Sequence, residues 1–349
     1  MSSVFILGGT GQVGRATAER FRNAGWDVTV ASRGKAPGGA VEDVRAVEVD
    51  RSVDGALEEA LGDRPYDALV DVIPYTDDHA AQLVRLAAGS IGTLIAVSTI
   101  SVYVDSEGRG FETATGPETM PALPVPIRVA CPTVEPDPGT YSSAKVAVER
   151  RLLSDSAVPV TILRAGAIYG RGSPSPREWW VVKRVLDGRP VLPLANRGRG
   201  VFHHSAAANI ASMALAAAER PATRIVNAAD PDPLPVGAMV LALLACLARL
   251  GIGGADAGLL LLDADPFSAP CGRTPWSVSR DVMADIDEAI AELGPLELLH
   301  YEEAVQDTVE WLVTIPTDGW EPHLPGLKVY GDTLFDYAAE DAYLRRLLR

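Results

Sequence analysis

Apolar runs alternate with amphipathic stretches along the chain up to about residue 230. The runs typical of buried strands cover residues 4–7, 27–31, 44–49, 68–73, 93–98, 160–165 and 224–228. Helical periodicity predicts helices over residues 12–24, 54–61, 77–88, 142–154 and 207–218. Because the strands are apolar almost throughout, the pattern predicts an α/β fold in which a doubly wound parallel sheet is covered by helices on both faces.

This alternation is interrupted by two loop-rich segments and changes character near the end of the chain. Residues 105–139 are rich in Pro, Gly, Thr and Glu, a length typical of a functional lid or insertion, and residues 171–200 are also loop-rich. After residue 230 the sequence predicts an apolar helix and a helical finish around residues 302–313. We therefore predict a core of residues 1–170, continued by about 201–230, and a smaller lobe of residues 171–200 and 231–349.

Composition narrows the class of partner and the compartment. The chain carries 31 Lys and Arg against 46 Asp and Glu, a formal charge of −15, which disfavours binding to nucleic acid. Cys131, Cys246 and Cys271 have no disulfide or zinc spacing, so we expect no metal site and a reducing, cytoplasmic compartment. The start of the chain lacks a signal-peptide pattern, and the apolar stretch at 236–250 is shorter than the roughly 20 residues that span a bilayer, so we expect no membrane partner.

A glycine-rich turn follows the first predicted strand and opens the first predicted helix. It reads Gly8-Gly9-Thr10-Gly11-Gln12-Val13-Gly14. Glycines at 8, 11 and 14 suit a tight turn, the close approach of a pyrophosphate to the backbone and close packing of the helix on the strand. With strand, turn, helix and second strand in order, the segment predicts a Rossmann-type dinucleotide site in the core.

Residues after the second and third strands bear on which dinucleotide binds. The second strand ends at Ser32, and Arg33 and Lys35 follow it. A guanidinium suits a 2′-phosphate, so this segment favours NADP(H), with NAD(H) as the alternative; a solvated basic loop is the competing interpretation. Asp50, at the end of the third strand, is expected either to accept a hydrogen bond from the adenine amine or to cap a turn.

Tyr141 and Lys145 lie four residues apart on a predicted helix, which places them side by side. A nearby ammonium lowers the pKa of a phenol towards neutral pH, as a general acid/base at an alcohol or carbonyl requires. An ordinary surface pair is the alternative. Thr99 lies in a run of hydroxyl residues where the fifth strand ends, the edge at which open α/β sheets bind ligands, although turn chemistry also explains such a run.

Taken together, the sequence resembles the extended short-chain dehydrogenase/reductase family, also called the NAD-dependent epimerase/dehydratase family. The resemblance rests on four segments in order: GGTGQVG at 8–14, STISVY at 98–103, YSSAK at 141–145 and LRAGAIYGRG at 163–172. It implies a Rossmann-type core and a substrate-binding C-terminal lobe. It also implies that Tyr141 is the catalytic acid/base, that Lys145 holds the nicotinamide ribose, that Thr99 binds the reacting oxygen, and that Gly8, Gly11 and Gly14 carry the pyrophosphate.

Departures from the family pattern bear on the reaction. Sugar dehydratases of the family place an Asp-Glu pair after the catalytic threonine, whereas Ile100 and Ser101 follow Thr99 here, which disfavours that elimination. An NADP(H)-dependent oxidoreductase acting on a carbonyl or alcohol of a small or sugar-like metabolite fits every motif. An NAD-dependent epimerase of a nucleotide sugar is the alternative, and a non-catalytic nucleotide-binding regulator is a third hypothesis.

The sequence also offers candidates for the substrate-binding residues and for the oligomeric state. Four residues beyond the family's fourth motif are candidates to bind a phosphate or carboxylate of the substrate, with a solvated or structural role as the alternative: Arg171, Arg197, Arg199 and His203. The resemblance also implies a homodimer through the helices predicted at 77–88 and 142–154.

Overall fold

The computed structural model describes residues 1–34, 41–269 and 271–347. The strands are β1 (Ser3–Leu7), β2 (Asp27–Ser32), β3 (Arg45–Glu48), β4 (Ala68–Asp71), β5 (Leu94–Thr99), β6 (Val160–Ala165), β7 (Ala167–Tyr169), β8 (Val191–Leu194), β9 (His204–Ala206), β10 (Arg224–Ala228) and β11 (Gly258–Leu261). The helices are α1 (Gln12–Asn23), α2 (Ala56–Leu61), α3 (Asp77–Ala87), α4 (Tyr141–Asp155), α5 (Trp179–Leu186), α6 (Ala207–Glu219), α7 (Val236–Arg249), α8 (Asp287–Leu293), α9 (Tyr301–Ala304), α10 (Gln306–Leu312) and α11 (Tyr337–Leu347).

The central sheet of the described chain has seven strands in the order β10-β6-β5-β4-β1-β2-β3. Every neighbouring pair is parallel. The direction in which strands are added reverses between β1 and β4, and open α/β sheets bind ligands at the carboxyl ends of the strands beside such a reversal. The predicted doubly wound parallel sheet is confirmed.

Both faces of the sheet are buried, which explains the apolar character of its strands. In β1, Val4 and Ile6 pack in one core with α1 and α6, whereas Phe5 and Leu7 belong to a second core with α2 and α3. All four residues are at most 2% exposed. Successive side chains of a strand point to opposite faces, so a strand covered on both sides alternates between two cores rather than between core and solvent.

A third core lies in the C-terminal part of the chain. It joins α5 and α7 with residues of α9 and α10, and it includes the fully buried rings of Trp179, Trp276 and Tyr301. A short parallel pair of β8 and β11 lies beside it, and β7 pairs with β9 nearer the central sheet. This core draws on residues 171–200 and on residues after 230, the two segments assigned to the smaller lobe; the domain limits themselves stay a prediction.

The long segment of residues 105–139 packs against the rest of the fold. It contains two short 3₁₀ turns, Phe111–Thr113 and Pro117–Thr119, and Ile127 is fully buried in a small core with Val102 and Val282. Phe111, in the first 3₁₀ turn, packs against the same core, which lies beside the carboxyl end of β5. Among the helices of the described residues, none combines the length and the apolar character of a membrane-spanning segment.

Candidate active site

The turn between β1 and α1 requires most of its glycines for steric reasons. Gly8 has a φ of +81°, and a Cβ on Gly14 would lie 2.1 Å from the Gly8 carbonyl oxygen. A Cβ on Gly9 would lie 2.6 Å from Val30. A Cβ on Gly11, in contrast, would meet its nearest atom at 3.6 Å, an ordinary contact. The packing of the fold thus accounts for glycine at 8, 9 and 14 but does not require glycine at 11.

The first turn of α1 is open to an anion. Gly11 is the N-cap residue and offers no side chain to the free N–H groups, and the first turn contains no acidic residue. Backbone N–H groups at a helix N-terminus bind phosphate readily. Beside this turn, the Oε1 atom of Gln12 is buried without a hydrogen-bond partner in the described chain. These features fit a dinucleotide that is held by its pyrophosphate at the start of α1. Polar groups of the dinucleotide would then lie close to the Gln12 side chain.

The segment after β2 combines a basic and an acidic side chain. Arg33 is exposed and forms no ion pair within the described residues, while the Ser32 hydroxyl accepts a hydrogen bond from the Gly34 N–H at 3.3 Å. A Cβ on Gly34 would lie 3.3 to 3.5 Å from the carboxylate atoms of Glu48, at the end of β3. The carboxylate therefore lies beside the segment predicted to receive a 2′-phosphate. Lys35 lies outside the described residues.

Asp50 follows β3 and shapes a turn. Its Oδ1 atom accepts hydrogen bonds from the Ser52 N–H at 3.0 Å and from the Ser52 hydroxyl at 2.7 Å. This is the turn-capping interaction expected as one of two alternatives. A contact with adenine stays a prediction.

Tyr141 is the first residue of α4, and Thr99 is the last residue of β5. The helix starts there because the Thr140 side chain accepts the Ser143 N–H and Ser143 reciprocates, a capping box. The Thr99 hydroxyl accepts the Ser101 N–H and donates to the Ser101 Oγ, both at 3.1 Å. The capped helix and the capped strand end thus hold the two hydroxyl groups at one edge of the sheet.

Lys145 lies one turn after Tyr141 and is 2% exposed. Its Nζ donates to the carbonyl oxygens of Val97 at 2.6 Å and Pro74 at 3.0 Å. Burial lowers the pKa of Lys145 to about 8, against the charges of Asp71 and Glu149, which raise it. The ammonium is therefore a buried cation bound to two backbone carbonyls.

The expectation that Lys145 lowers the pKa of Tyr141 is wrong. Partial burial, with smaller contributions from Tyr75 and Glu112, raises the pKa of Tyr141 to about 12, although the hydrogen bond with the Thr99 side chain lowers it in part. The Lys145 ammonium is engaged by backbone carbonyls instead of by the phenol. Tyr141 is thus a protonated phenol at neutral pH.

A cavity of about 650 Å³ opens at this edge of the sheet, a size typical of small-molecule sites. Its described lining includes the hydroxyl residues Thr99, Ser101 and Tyr141 and the side chain of Gln12. The Ser142 hydroxyl donates to Ser101 at 2.9 Å, so the hydroxyl groups of Thr99, Ser101 and Ser142 form a connected network. The hydroxyl groups of Thr99 and Tyr141 therefore share one cavity with Gln12, the first residue of α1.

Several residues of this cavity could not be predicted from the sequence. Phe111 and Glu112 come from the long segment before α4, Arg177 comes from the smaller lobe, and Phe202 comes from the segment just before β9. A Glu112 carboxylate oxygen accepts the N–H of Ser142 at 3.0 Å, which fixes the long segment to the start of α4. No sequence signal distinguishes these residues from their neighbours, because only packing between distant segments brings them to the cavity.

The three arginines predicted to bind substrate lie elsewhere. None of them is among the described residues that line the cavity. Arg171 and Arg197 lie 3.4 Å from the carboxylates of Asp307 and Asp263, and Arg199 is exposed. The structure therefore gives these arginines solvated positions, the alternative named for them from the sequence.

His203 has a structural environment. It is 1% exposed, its Nδ1 accepts the Ala284 N–H at 3.1 Å, and its Nε2 lies 2.9 Å from the Asp230 carbonyl oxygen. Both ring nitrogens are therefore committed to backbone, and burial lowers the pKa of His203. This arrangement contradicts the substrate role expected for His203.

Comparison with known proteins places the chain in a family. The model of the NAD dependent epimerase/dehydratase family matches residues 4–229. A 2′-dehydrokanamycin reductase of Streptomyces kanamyceticus is 28% identical over 66% of this chain and 63% of its own length. A 3-diazoavenalumate denitrifying reductase of a Streptomyces species is 27% identical over 66% of this chain and 77% of its own length.

The fold is shared with solved enzymes. A UDP-N-acetylglucosamine 4-epimerase from Methanobrevibacter ruminantium superposes with a TM-score of 0.65 at 16% identity, covering 90% of this chain and 98% of the epimerase. At 16% identity, this similarity establishes a shared fold alone. With a parallel seven-stranded sheet in its described residues, an open glycine turn and a family match over most of its length, the chain belongs to the NAD dependent epimerase/dehydratase family of nicotinamide-dinucleotide enzymes.

Proposed function

We propose that the protein is an NADP(H)-dependent oxidoreductase that interconverts a carbonyl and an alcohol on a small or sugar-like metabolite. The observation that carries this proposal is that Tyr141 and Thr99 line one cavity with Gln12, at the edge where the dinucleotide turn opens. Bound there, the nicotinamide would supply or accept the hydride.

Tyr141 acts as the general acid in reduction. Its phenol is protonated at neutral pH, since its pKa is raised to about 12, so it can donate a proton to the carbonyl oxygen as the alcohol forms. Thr99 orients that oxygen with its hydroxyl. Lys145 holds the nicotinamide ribose and contributes a buried positive charge close to the developing alkoxide.

The cofactor contacts follow from the residues around the β1–α1 turn. The backbone of Gly8, Thr10, Gly11, Gln12, Val13 and Gly14 holds the pyrophosphate. Ser32 and Arg33 receive the 2′-phosphate, and Asp50 contacts the adenine. The support for this arrangement is the open N-terminus of α1 and the exposed guanidinium of Arg33.

Two relatives support the reductive direction. Both are named as reductases, and each aligns with 66% of this chain. A reductase needs a group that is protonated at neutral pH and can donate to the reacting oxygen, and the phenol of Tyr141 is protonated.

An NAD-dependent epimerase is the second candidate. The observation that favours it is Glu48, whose carboxylate lies against Gly34 and would repel a 2′-phosphate on the adjoining Arg33. This candidate predicts NAD that stays bound through purification and no net consumption of added NADPH.

The experiment compares the wild type with Tyr141→Phe on a panel of sugar and aromatic ketones, following oxidation of NADPH. We expect the wild type to turn over and Tyr141→Phe to lose about 100-fold or more in kcat, as for loss of a general acid. NADPH affinity should not change, because the ring is retained. A fully active Tyr141→Phe protein would overturn the assignment of Tyr141.

We also propose a homodimer through α3 and α4. The two helices pack side by side on one face of the sheet, and Arg151 of α4 binds the Asp77 carboxylate of α3, with nitrogen–oxygen distances of 2.5 Å. A rigid helix pair of this kind suits a symmetric interface. Light scattering on the eluted protein should give twice the chain mass of 36.9 kDa, and a monomer mass would refute the dimer.

A further inference from the structure

Arg177 presents a guanidinium group to the cavity that contains Tyr141. It lies two residues before α5, is half-buried, and lines the cavity together with Phe202. Its Nε is buried without a hydrogen-bond partner, and its Nη1 makes one long hydrogen bond, 3.4 Å, to the Ile168 carbonyl oxygen. Most of its donors are therefore unused by the described protein.

No carboxylate of the described chain lies within ion-pair distance of Arg177. Arg171, six residues earlier, is instead paired with Asp307 at 3.4 Å. Glu178 follows Arg177 directly but is fully buried. Burial raises the pKa of Glu178 to about 7, and the charge of Arg177 lowers it only in part. The guanidinium thus has no fixed counter-ion among the residues that the structure describes.

Aromatic rings surround this charge. The guanidinium carbon lies 5.8 Å from the ring centre of Phe202 and 6.0 Å from that of Tyr330. Such rings hold a guanidinium in place, but they do not neutralise it. A half-buried cation without a counter-ion costs free energy, which an anionic ligand would recover through charge-assisted hydrogen bonds.

We propose that Arg177 binds a single carboxylate on the substrate, a proposal that rests on the oxidoreductase function above. Arg177 and Glu112 are the charged residues among the described lining of the cavity, so the wall carries one cation and one anion. One carboxylate would form an ion pair with Arg177, the single cation of the described wall. A pyrophosphate would bring two negative charges to one guanidinium and would face the Glu112 carboxylate.

Ser173 adds a neutral donor to the lining of the same cavity. It is 4% exposed, and its Oγ accepts the Ser175 N–H at 3.3 Å, which leaves its O–H proton to donate to the bound carboxylate. With the carboxylate held by Arg177 and Ser173 and the reacting carbonyl held by Tyr141 and Thr99, the substrate is fixed at two points. Two-point binding of this kind sets which carbonyl of a substrate is reduced.

The test measures binding of simple probes by calorimetry. The probes are benzoate, its neutral analogue benzamide, and UDP, and the proteins are the wild type, Arg177→Met, Arg177→Lys and the matched control Arg171→Met. We expect benzoate to bind the wild type and Arg171→Met alike, to bind Arg177→Lys less tightly, and to lose tenfold or more in affinity for Arg177→Met. Benzamide should bind weakly to all four proteins.

Equal benzoate affinity in the wild type and Arg177→Met would overturn the proposal. UDP binding that is tighter than benzoate binding and depends on Arg177 would also overturn it, in favour of a nucleotide subsite. Titration of each variant with NADPH separates this result from the proposed function. We expect cofactor affinity to be the same in all four proteins, and a wild type that binds benzoate through Arg177 but no dinucleotide would contradict the oxidoreductase function alone.

Discussion

The Nζ atom of Lys145 donates a hydrogen bond of 2.6 Å to the carbonyl oxygen of Val97, two residues before Thr99 on β5. This bond ties the helix that begins at Tyr141 to the strand that ends at Thr99. The ammonium is almost fully buried, and burial lowers its pKa to about 8. One side chain thus holds α4 and β5 together, at the cost of desolvating a charge.

The first prediction concerns the stability of the protein at alkaline pH. The folded pKa of Lys145, about 8, lies below its ordinary value of 10.5, so the unfolded chain binds more protons between these values and the contribution of Lys145 to stability rises with pH across that window. The gain is at most about 3 kcal/mol. Urea unfolding at several pH values should show this rise in the wild type and in the exposed-lysine control Lys328→Met. Lys145→Met should lack it, and an unchanged slope in that variant would refute the assignment.

The second prediction concerns the phenol of Tyr141. Because interaction with Thr99 lowers the pKa of Tyr141 and partial burial raises it, Thr99→Val should raise this pKa above that of the wild type, whereas Thr99→Ser should leave it close to the wild-type value. The measurement is an absorbance titration of phenolate formation in cofactor-free protein, with Tyr141→Phe subtracted. A wild-type phenol that titrates below its ordinary value of 10 would contradict the environment described here.

The sheet could be predicted from sequence because its strands are buried on both faces. The observed ends of some strands and helices differ from the predicted ends. The causes are local interactions that the hydrophobic pattern indicates only weakly. The fourth strand stops at Asp71, whose carboxylate accepts the Ile73 N–H and pairs with Arg51, so the apolar residues that follow leave the sheet. The second helix begins after Gly55, whose φ of +75° ends the preceding turn.

The residues of the candidate site also differ in how well the sequence predicts them. Tyr141 and Thr99 could be found because they sit at the start of a helix and the end of a strand, positions fixed by local patterns. The sequence does not show which of Arg171 and Arg177 lines the cavity, because both lie in one loop. Contacts with residues distant in sequence, such as Phe202, decide that it is Arg177. The sequence favours a substrate role for His203 only because histidine often binds anions. Its hydrogen bond with the backbone of Ala284, which is distant in sequence, becomes visible only in the structure.

The third prediction concerns the choice of dinucleotide. Removing the charge of Glu48 should strengthen NADPH binding severalfold, because the interaction of two charges near a protein surface is worth on the order of 1 kcal/mol. NADH binding should change little in Glu48→Gln. Fluorescence titrations at low and high salt check this, with Glu59→Gln as a control that removes one exposed charge elsewhere. Equal effects of both substitutions would show that Glu48 does not face the 2′-phosphate.

The fourth prediction concerns the buried ion pair beneath the site. Arg164 and Glu149 lie 2.6 Å apart with side chains at most 5% exposed, and the Ser98 hydroxyl donates to the same carboxylate. Arg164→Met leaves that charge without its partner and should cost about 3 to 5 kcal/mol of unfolding free energy. The double variant Arg164→Met/Glu149→Leu should recover part of this loss. Urea unfolding measures both, and a loss below about 1 kcal/mol in the single variant would contradict the pairing.

Titration of nucleotide-free protein with NADPH and with NADH, following nicotinamide fluorescence, tests the proposed oxidoreductase function. We expect both dinucleotides to bind and NADPH to bind more tightly, through Arg33. Arg33→Met should remove the difference. Tighter binding of NADH would contradict the assignment of NADP(H), and binding of neither dinucleotide would contradict the oxidoreductase function itself.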